Sequence, residues 1–123
     1  LRYFAIHPIR AKKIKLAVGS VCELCGRDAS LDDLEIHTFR TEEEASAHPP
    51  ADWERFLLIL CTWCHWDLHA YEIPIAEQEA MVDERPQGVR CAIREILAHV
   101  ARPYTPPDTD LEQLFLDTKQ ITR

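Results

Sequence analysis

Two Cys-x-x-Cys pairs, Cys22/Cys25 and Cys61/Cys64, restrict what this chain can fold into more than any other feature of it. Cysteines two residues apart can reach one ion from a single tight turn, and two such turns supply the tetrahedral thiolate set that structural zinc prefers. The segment between Cys25 and Cys61 then becomes a loop tied at its base. For a chain of 123 residues that closure contributes on the order of several kcal/mol to folding. Cys91, the fifth cysteine, stands alone in a helical pattern and reads as a small packing residue. A disulfide framework seldom places pairs at this spacing, so the cysteines favour a reducing, cytoplasmic setting and Zn²⁺ over disulfides or a redox pair.

The segment between the pairs carries Leu34-Glu35-Ile36-His37-Thr38-Phe39, and the second pair runs directly into His65 with His69 one helical turn on. His65 and His69, at i and i+4, share a helix face. With His37 brought near by the knuckles, the spacing points to a second site built from His37, His65 and His69.

Alternation over Leu34 to Phe39 predicts a short strand, and the apolar run Phe56 to Leu60 predicts a buried second one. Residues 40–52 read as a polar, acidic connection. From His65 to about Ala70 the chain is expected to be helical. Pro8 and Gly19 bracket a helix over Ile9 to Val18, with one basic and one core-facing side. Pro74 and Pro86 mark two further helix starts, the second bearing an apolar stripe of Val89, Ile93, Ile96, Leu97 and Val100. Arg102 to Pro107 is a Pro-rich break, and Asp110-Leu111-Glu112-Gln113 resembles a capping box that opens a short final helix. The three tryptophans, Trp53, Trp63 and Trp66, are expected to gather around the second knuckle as core wall, with Trp63 exposed enough to touch a partner. The class is α+β in a single domain over residues 1–123: a zinc-braced core at 21–71, a basic N-terminal helix at 1–20 and a helical extension at 74–123.

The net charge of −7 argues against general adhesion to nucleic acid, but it is unevenly distributed. Residues 1–27 hold Arg2, Arg10, Lys12, Lys13, Lys15 and Arg27 against the single acid Glu23. Arg10, Lys12, Lys13 and Lys15 are candidates for phosphate contact, and equally for a solvated helix face. No apolar run is long enough to span a membrane.

A strand carrying His, a second strand, then a helix with His at i and i+4 resembles the ββα-metal core of the HNH endonucleases. It is most similar to the subgroup braced by two Cys-x-x-Cys zinc knuckles. The resemblance covers Val21 to Tyr71. It implies a metal-dependent hydrolase acting on DNA phosphodiester bonds, with His37, His65 and His69 holding a catalytic Mg²⁺, Mn²⁺ or Zn²⁺ and the four cysteines a structural Zn²⁺. The family's general-base His would fall at Thr38, and the Asn that orients it at Phe56, next to Arg55. General-base catalysis is worth roughly 10²- to 10⁴-fold, and a threonine cannot supply it near neutral pH. Three groups could compensate: His37 itself after a one-residue shift, His48 folding back from the acidic connection, or Glu35 orienting His37. The competing reading is a non-catalytic zinc module, in which the basic helix and tryptophans contact nucleic acid or protein and the C-terminal helices mediate a homo-oligomer.

Overall fold

The computed structural model, which describes residues 2–100, 104 and 105, is α+β, with a two-stranded antiparallel sheet surrounded by helices. Strand β1 (Leu34–Thr38) pairs with β2 (Leu57–Cys61) so that Leu34 faces Cys61 and His37 faces Leu58. Leu57 to Leu60 are buried without a break, as a continuous apolar run requires when both faces of a strand are covered.

Helix α1 (Pro8–Ala17) carries Pro in its first turn and is N-capped by His7, whose Nδ1 accepts from the Ile9 amide. Gly19 and Ser20 end it at positive φ. Only Ile14 of α1 is fully buried, and Ile9 and Leu16 stay exposed, so the expected division into a basic and a core-facing side does not form. The polar, acidic connection contains helix α2 (Glu42–Ser46) and runs into a 3₁₀ segment, Pro50–Phe56, which takes in the Phe56 expected to open the second strand. Thr41 and Glu44 form a reciprocal capping box on α2, a Thr-x-x-Glu pattern present in the sequence. The 3₁₀ segment drives Trp53 into the core, where its ring packs on Phe4 and its Nε1 donates to the Ala45 carbonyl at 2.7 Å.

Helix α3 (Thr62–Ala70) starts three residues before His65, because Cys61 is at once the last residue of β2 and the N-cap of α3. Helices α4 (Ile75–Asp83) and α5 (Gln87–Ala98) begin just after Pro74 and Pro86. Ile93 and Leu97 are fully buried along α5, with Val89, Ile96 and Val100 packed beside them. Cys91 is exposed on α5, correcting its reading as a packing residue. The Asp110 capping box and most of the Pro-rich break lie outside the described residues, and among the described residues no helix is long and apolar enough to cross a membrane.

One buried ionic cluster holds these parts in register. Arg85, at the α4–α5 junction, donates to both carboxylate oxygens of Glu23 (2.6 and 2.7 Å), to Glu54 Oε2 (2.7 Å), and to the carbonyls of Glu54 and Leu57 (each 2.8 Å). Burial alone would lower its pKa, but Glu23 and Glu54 together carry it above the ordinary value. Arg90 closes the cluster on Glu54 at 3.0 Å. Glu23 sits inside the first Cys-x-x-Cys turn and also accepts from the Ile59 amide. The cluster therefore fastens that turn to β2 and to the C-terminal helices, a coupling that pattern reading missed.

Candidate functional site

The first knuckle is a tight turn. Cys22 N–H donates to the Arg27 carbonyl, Gly26 N–H donates to the Cys22 carbonyl at 2.8 Å, and Gly26 adopts φ 74, a region open to glycine without a side-chain clash. The second knuckle is the end of β2 and the first turn of α3. The ligand atoms of Cys22, Cys25, Cys61 and Cys64 all lie within 4.8 Å of one another, an arrangement that could hold a metal ion. Sulfurs at zinc-ligand distance in a tetrahedron stand roughly 3.8 Å apart. Cys25 Sγ and Cys61 Sγ are 4.0 Å apart, close to that spacing. Burial pushes the Cys22 pKa up, but the amides of Cys25, Cys61 and Leu24 with the Cys25 thiol outweigh it and bring the group down to about 7. Cys64 is pushed well above the ordinary thiol range by burial and by sharing protons with the other three cysteines. Such a cluster takes up a cation more readily than four thiolates would coexist without one.

About one turn along α3 the histidines converge. His37 Nδ1 lies 3.2 Å from His65 Nε2, and His69 Nε2 lies 3.1 Å from the same atom. Two hydrogen bonds outside the cluster decide where the protons are. The Gln78 amide donates through Nε2 to the Ile73 carbonyl at 2.9 Å, which turns Oε1 towards His37 Nε2 at 2.8 Å. His37 Nε2 must therefore carry the proton, leaving the Nδ1 lone pair facing inward. His65 Nδ1 is 2.5 Å from Glu35 Oε2, so it donates outward and Nε2 is the nitrogen that faces inward. A proton on His65 Nε2 could serve one of these short contacts, whereas a cation serves all three nitrogens. Imidazole nitrogens around a tetrahedral zinc stand about 3.3 Å apart, so the donor set and its spacing fit a divalent ion.

His37 is buried, its pKa lowered to about 4 by desolvation first and by the charges of His65 and His69 next; its bond to Gln78 acts in the opposite direction. It is neutral near pH 7, the form that ligates. The sign of the linkage follows. Between pH 6.5 and about 4 the unfolded chain binds a proton at His37 that the folded chain does not. With the histidine site empty and the cysteine cluster filled, this stability is present above pH 6.5 and is lost on acidification across that window, by about 3 kcal/mol in all. Urea unfolding at a series of pH values, for wild type against His37→Asn, should show the difference between the two shrinking as pH falls from 6.5 to 4.

The histidines line a cleft of about 500 Å³ together with Tyr3, Thr38, Glu72 and Gln78. A larger groove of about 820 Å³ lies between α1 and the end of α5, lined by Arg10, Trp53 and His99 among others, and contains neither candidate metal cluster. Thr38 is occupied: its hydroxyl donates to the Phe4 carbonyl at 2.6 Å. Phe56 packs against the His48 ring and under the Arg40 guanidinium. His48 thus belongs to a separate groove with Arg40 and Asp52, away from the histidine cleft. Glu35 orients His65, and the orienting role expected of it at His37 falls to Gln78. Gln78 and Glu72 escaped sequence reading because both lie beyond the 21–71 core that carries the motifs. Only the position of Gln78 one turn after Pro74 placed it near the start of a helix.

Arg10 donates to the Ile96 and His99 carbonyls at the end of α5, and Lys15 donates to the Leu31 carbonyl. Of the four basic candidates, Lys12 and Lys13 are exposed. The tryptophans do not gather: Trp53 is in the core, while Trp63 and Trp66 are 79% and 67% exposed on α3. Trp66 borders a groove with Glu35, His65 and His69. Compared with family models, with curated proteins and with solved structures, the chain matches none of them.

Proposed function

We propose that this chain is an HNH-endonuclease-like protein in which Cys22, Cys25, Cys61 and Cys64 hold a structural Zn²⁺ and His37, His65 and His69 hold a second divalent ion that acts on phosphodiester bonds of DNA. The observation that carries the reading is the convergence of three imidazole nitrogens at 3.1 and 3.2 Å beside an open cleft, on a strand and helix braced by the cysteines. When bound, a divalent ion supplies Lewis acidity that polarises a phosphate and stabilises a leaving oxygen. The protein's part is positional. His37 presents Nδ1 and His65 presents Nε2, Gln78 and Glu35 hold the two rings from outside, and exposed His69 keeps one side of the site open to substrate. Imidazole donors suit Zn²⁺ and similar ions better than Mg²⁺, which takes oxygen ligands.

The positions where the resemblance would place a base and its orienting amide hold Thr38, committed to Phe4, and Phe56, edge to face with His48. These two observations favour a second reading, a non-catalytic binding module on the same core. A nicking assay on supercoiled plasmid across a series of divalent metals separates the two. Hydrolysis is expected to be slow, roughly 10²- to 10⁴-fold below an enzyme with an intact base, and abolished in His37→Ala with the cysteine site still full. Wild type that nicks no faster than His37→Ala would leave the binding-module reading standing.

A further inference from the structure

We infer that Gln78 is a positioning residue of the histidine site, fixing His37 in the tautomer that can ligate a metal and thereby making α4 part of that site. The inference rests on the reading of His37, His65 and His69 as metal ligands and adds to them a residue beyond the knuckle-bounded core. A buried amide with both ends used is a directional object. Its Nε2 is spent on the Ile73 carbonyl, at the turn between α3 and α4, so Oε1 is the only atom it can offer His37. A carbonyl oxygen accepts only, and the proton on His37 must then sit on Nε2. The consequence appears at the other ring nitrogen, which faces His65 Nε2 without a proton.

A purely packing role would not require this chemistry. Gln78 is 5% exposed, and an apolar side chain of similar volume would fill the space without the cost of desolvating an amide. Among the described residues the polar contacts of His37 are Gln78 on one side and the histidine cluster on the other. Without Gln78 the imidazole is free to move its proton to Nδ1 or rotate, and either change removes a donor from the cluster. Partners of this kind around a metal-bound histidine are typically worth about 10- to 100-fold in metal affinity. The placement also couples the extension to the core. The Arg40–Glu79 ion pair at 3.4 Å sets the neighbouring residue of α4 against the chain just after β1, so the helix that carries Gln78 is tied to the end of the strand that carries His37.

The test uses full-length protein with the cysteine site filled by Zn²⁺ and Co²⁺ titrated into the histidine site, read by visible absorption. Gln78→Met is expected to bind Co²⁺ about 10- to 100-fold more weakly than wild type, and Gln78→Glu, which keeps an acceptor facing His37, to recover most of that loss. In parallel, ¹⁵N imidazole shifts of protein with the cysteine site filled and the histidine site empty report the tautomer. Wild type should show His37 protonated at Nε2, Gln78→Glu the same, and Gln78→Met a mixture or the Nδ1–H form. Equal Co²⁺ affinity in wild type and Gln78→Met overturns the positioning role while leaving the metal site intact. So does a wild-type His37 protonated at Nδ1, which needs no variant to fold. Absence of any Co²⁺ uptake at the histidines of wild type overturns the metal reading and the role of Gln78 with it.

Discussion

Replacing Cys22 by Ala, or withdrawing with a chelator the Zn²⁺ proposed for the four-cysteine cluster, is expected to unfold the region around the sheet. Cys22 is fully buried, and its turn is joined to β2 through the Glu23 amide and carboxylate. Structural zinc sites in small domains bind with apparent free energies of roughly 10 to 16 kcal/mol, and because no preformed site exists in the unfolded chain, that energy is folding energy. A domain of this size has a net stability of about 5 to 15 kcal/mol, so losing the ion removes most or all of it. The measurement is near-ultraviolet circular dichroism with Trp53 fluorescence, before and after chelation and after zinc is returned. The buried Trp53 signal should collapse and recover, and Cys22→Ala should resemble the chelated protein. Cys91→Ala, at an exposed position outside the cluster, should leave both signals unchanged.

Arg85→Met should cost about 3 to 5 kcal/mol, the usual penalty for stranding one partner of a buried ion pair. All five N–H donors of Arg85 are used, and its side chain and that of Glu54 are fully inaccessible. Among the described residues, removing the guanidinium leaves Glu54 with Arg90 alone and Glu23 without a cation, inside the Cys-x-x-Cys turn it anchors. The comparison that isolates the effect is Arg94→Met. Arg94 pairs with Asp52 at 3.0 Å, but both side chains are at least a third exposed, so its loss should cost about 0 to 1 kcal/mol. Urea unfolding of the two variants reads the difference directly. An Arg85→Met protein as stable as Arg94→Met would mean that the buried cluster contributes nothing net.

The parts of this protein legible from its sequence are those set by local rules. Metal spacing placed the four cysteines together, period-two alternation located β1, and Pro74 and Pro86 marked the starts of α4 and α5. What stayed hidden depends on distant residues meeting. Glu23 and Arg85 are 62 positions apart, and no pattern around either announces a buried pair. Gln78 reads as an ordinary helix residue until α4 folds back on β1. Charge counting also misled, because Arg10 and Lys15 look like part of a basic surface while their donors are bound to carbonyls of α5 and of the turn before β1. Trp66 was expected as core wall because aromatic residues bury well, yet α3 turns its other face, with Leu68, inward and leaves Trp66 exposed beside Trp63, whose exposure was expected. The Thr41 capping box was readable and was passed over within an acidic stretch.

Metal content per chain tests the two-centre arrangement most directly. Protein refolded with excess Zn²⁺ and freed of unbound ion should contain two ions per chain, one for each cluster, and His65→Ala/His69→Ala should contain one with its fold intact. One ion in both proteins would contradict a metal site at the histidines.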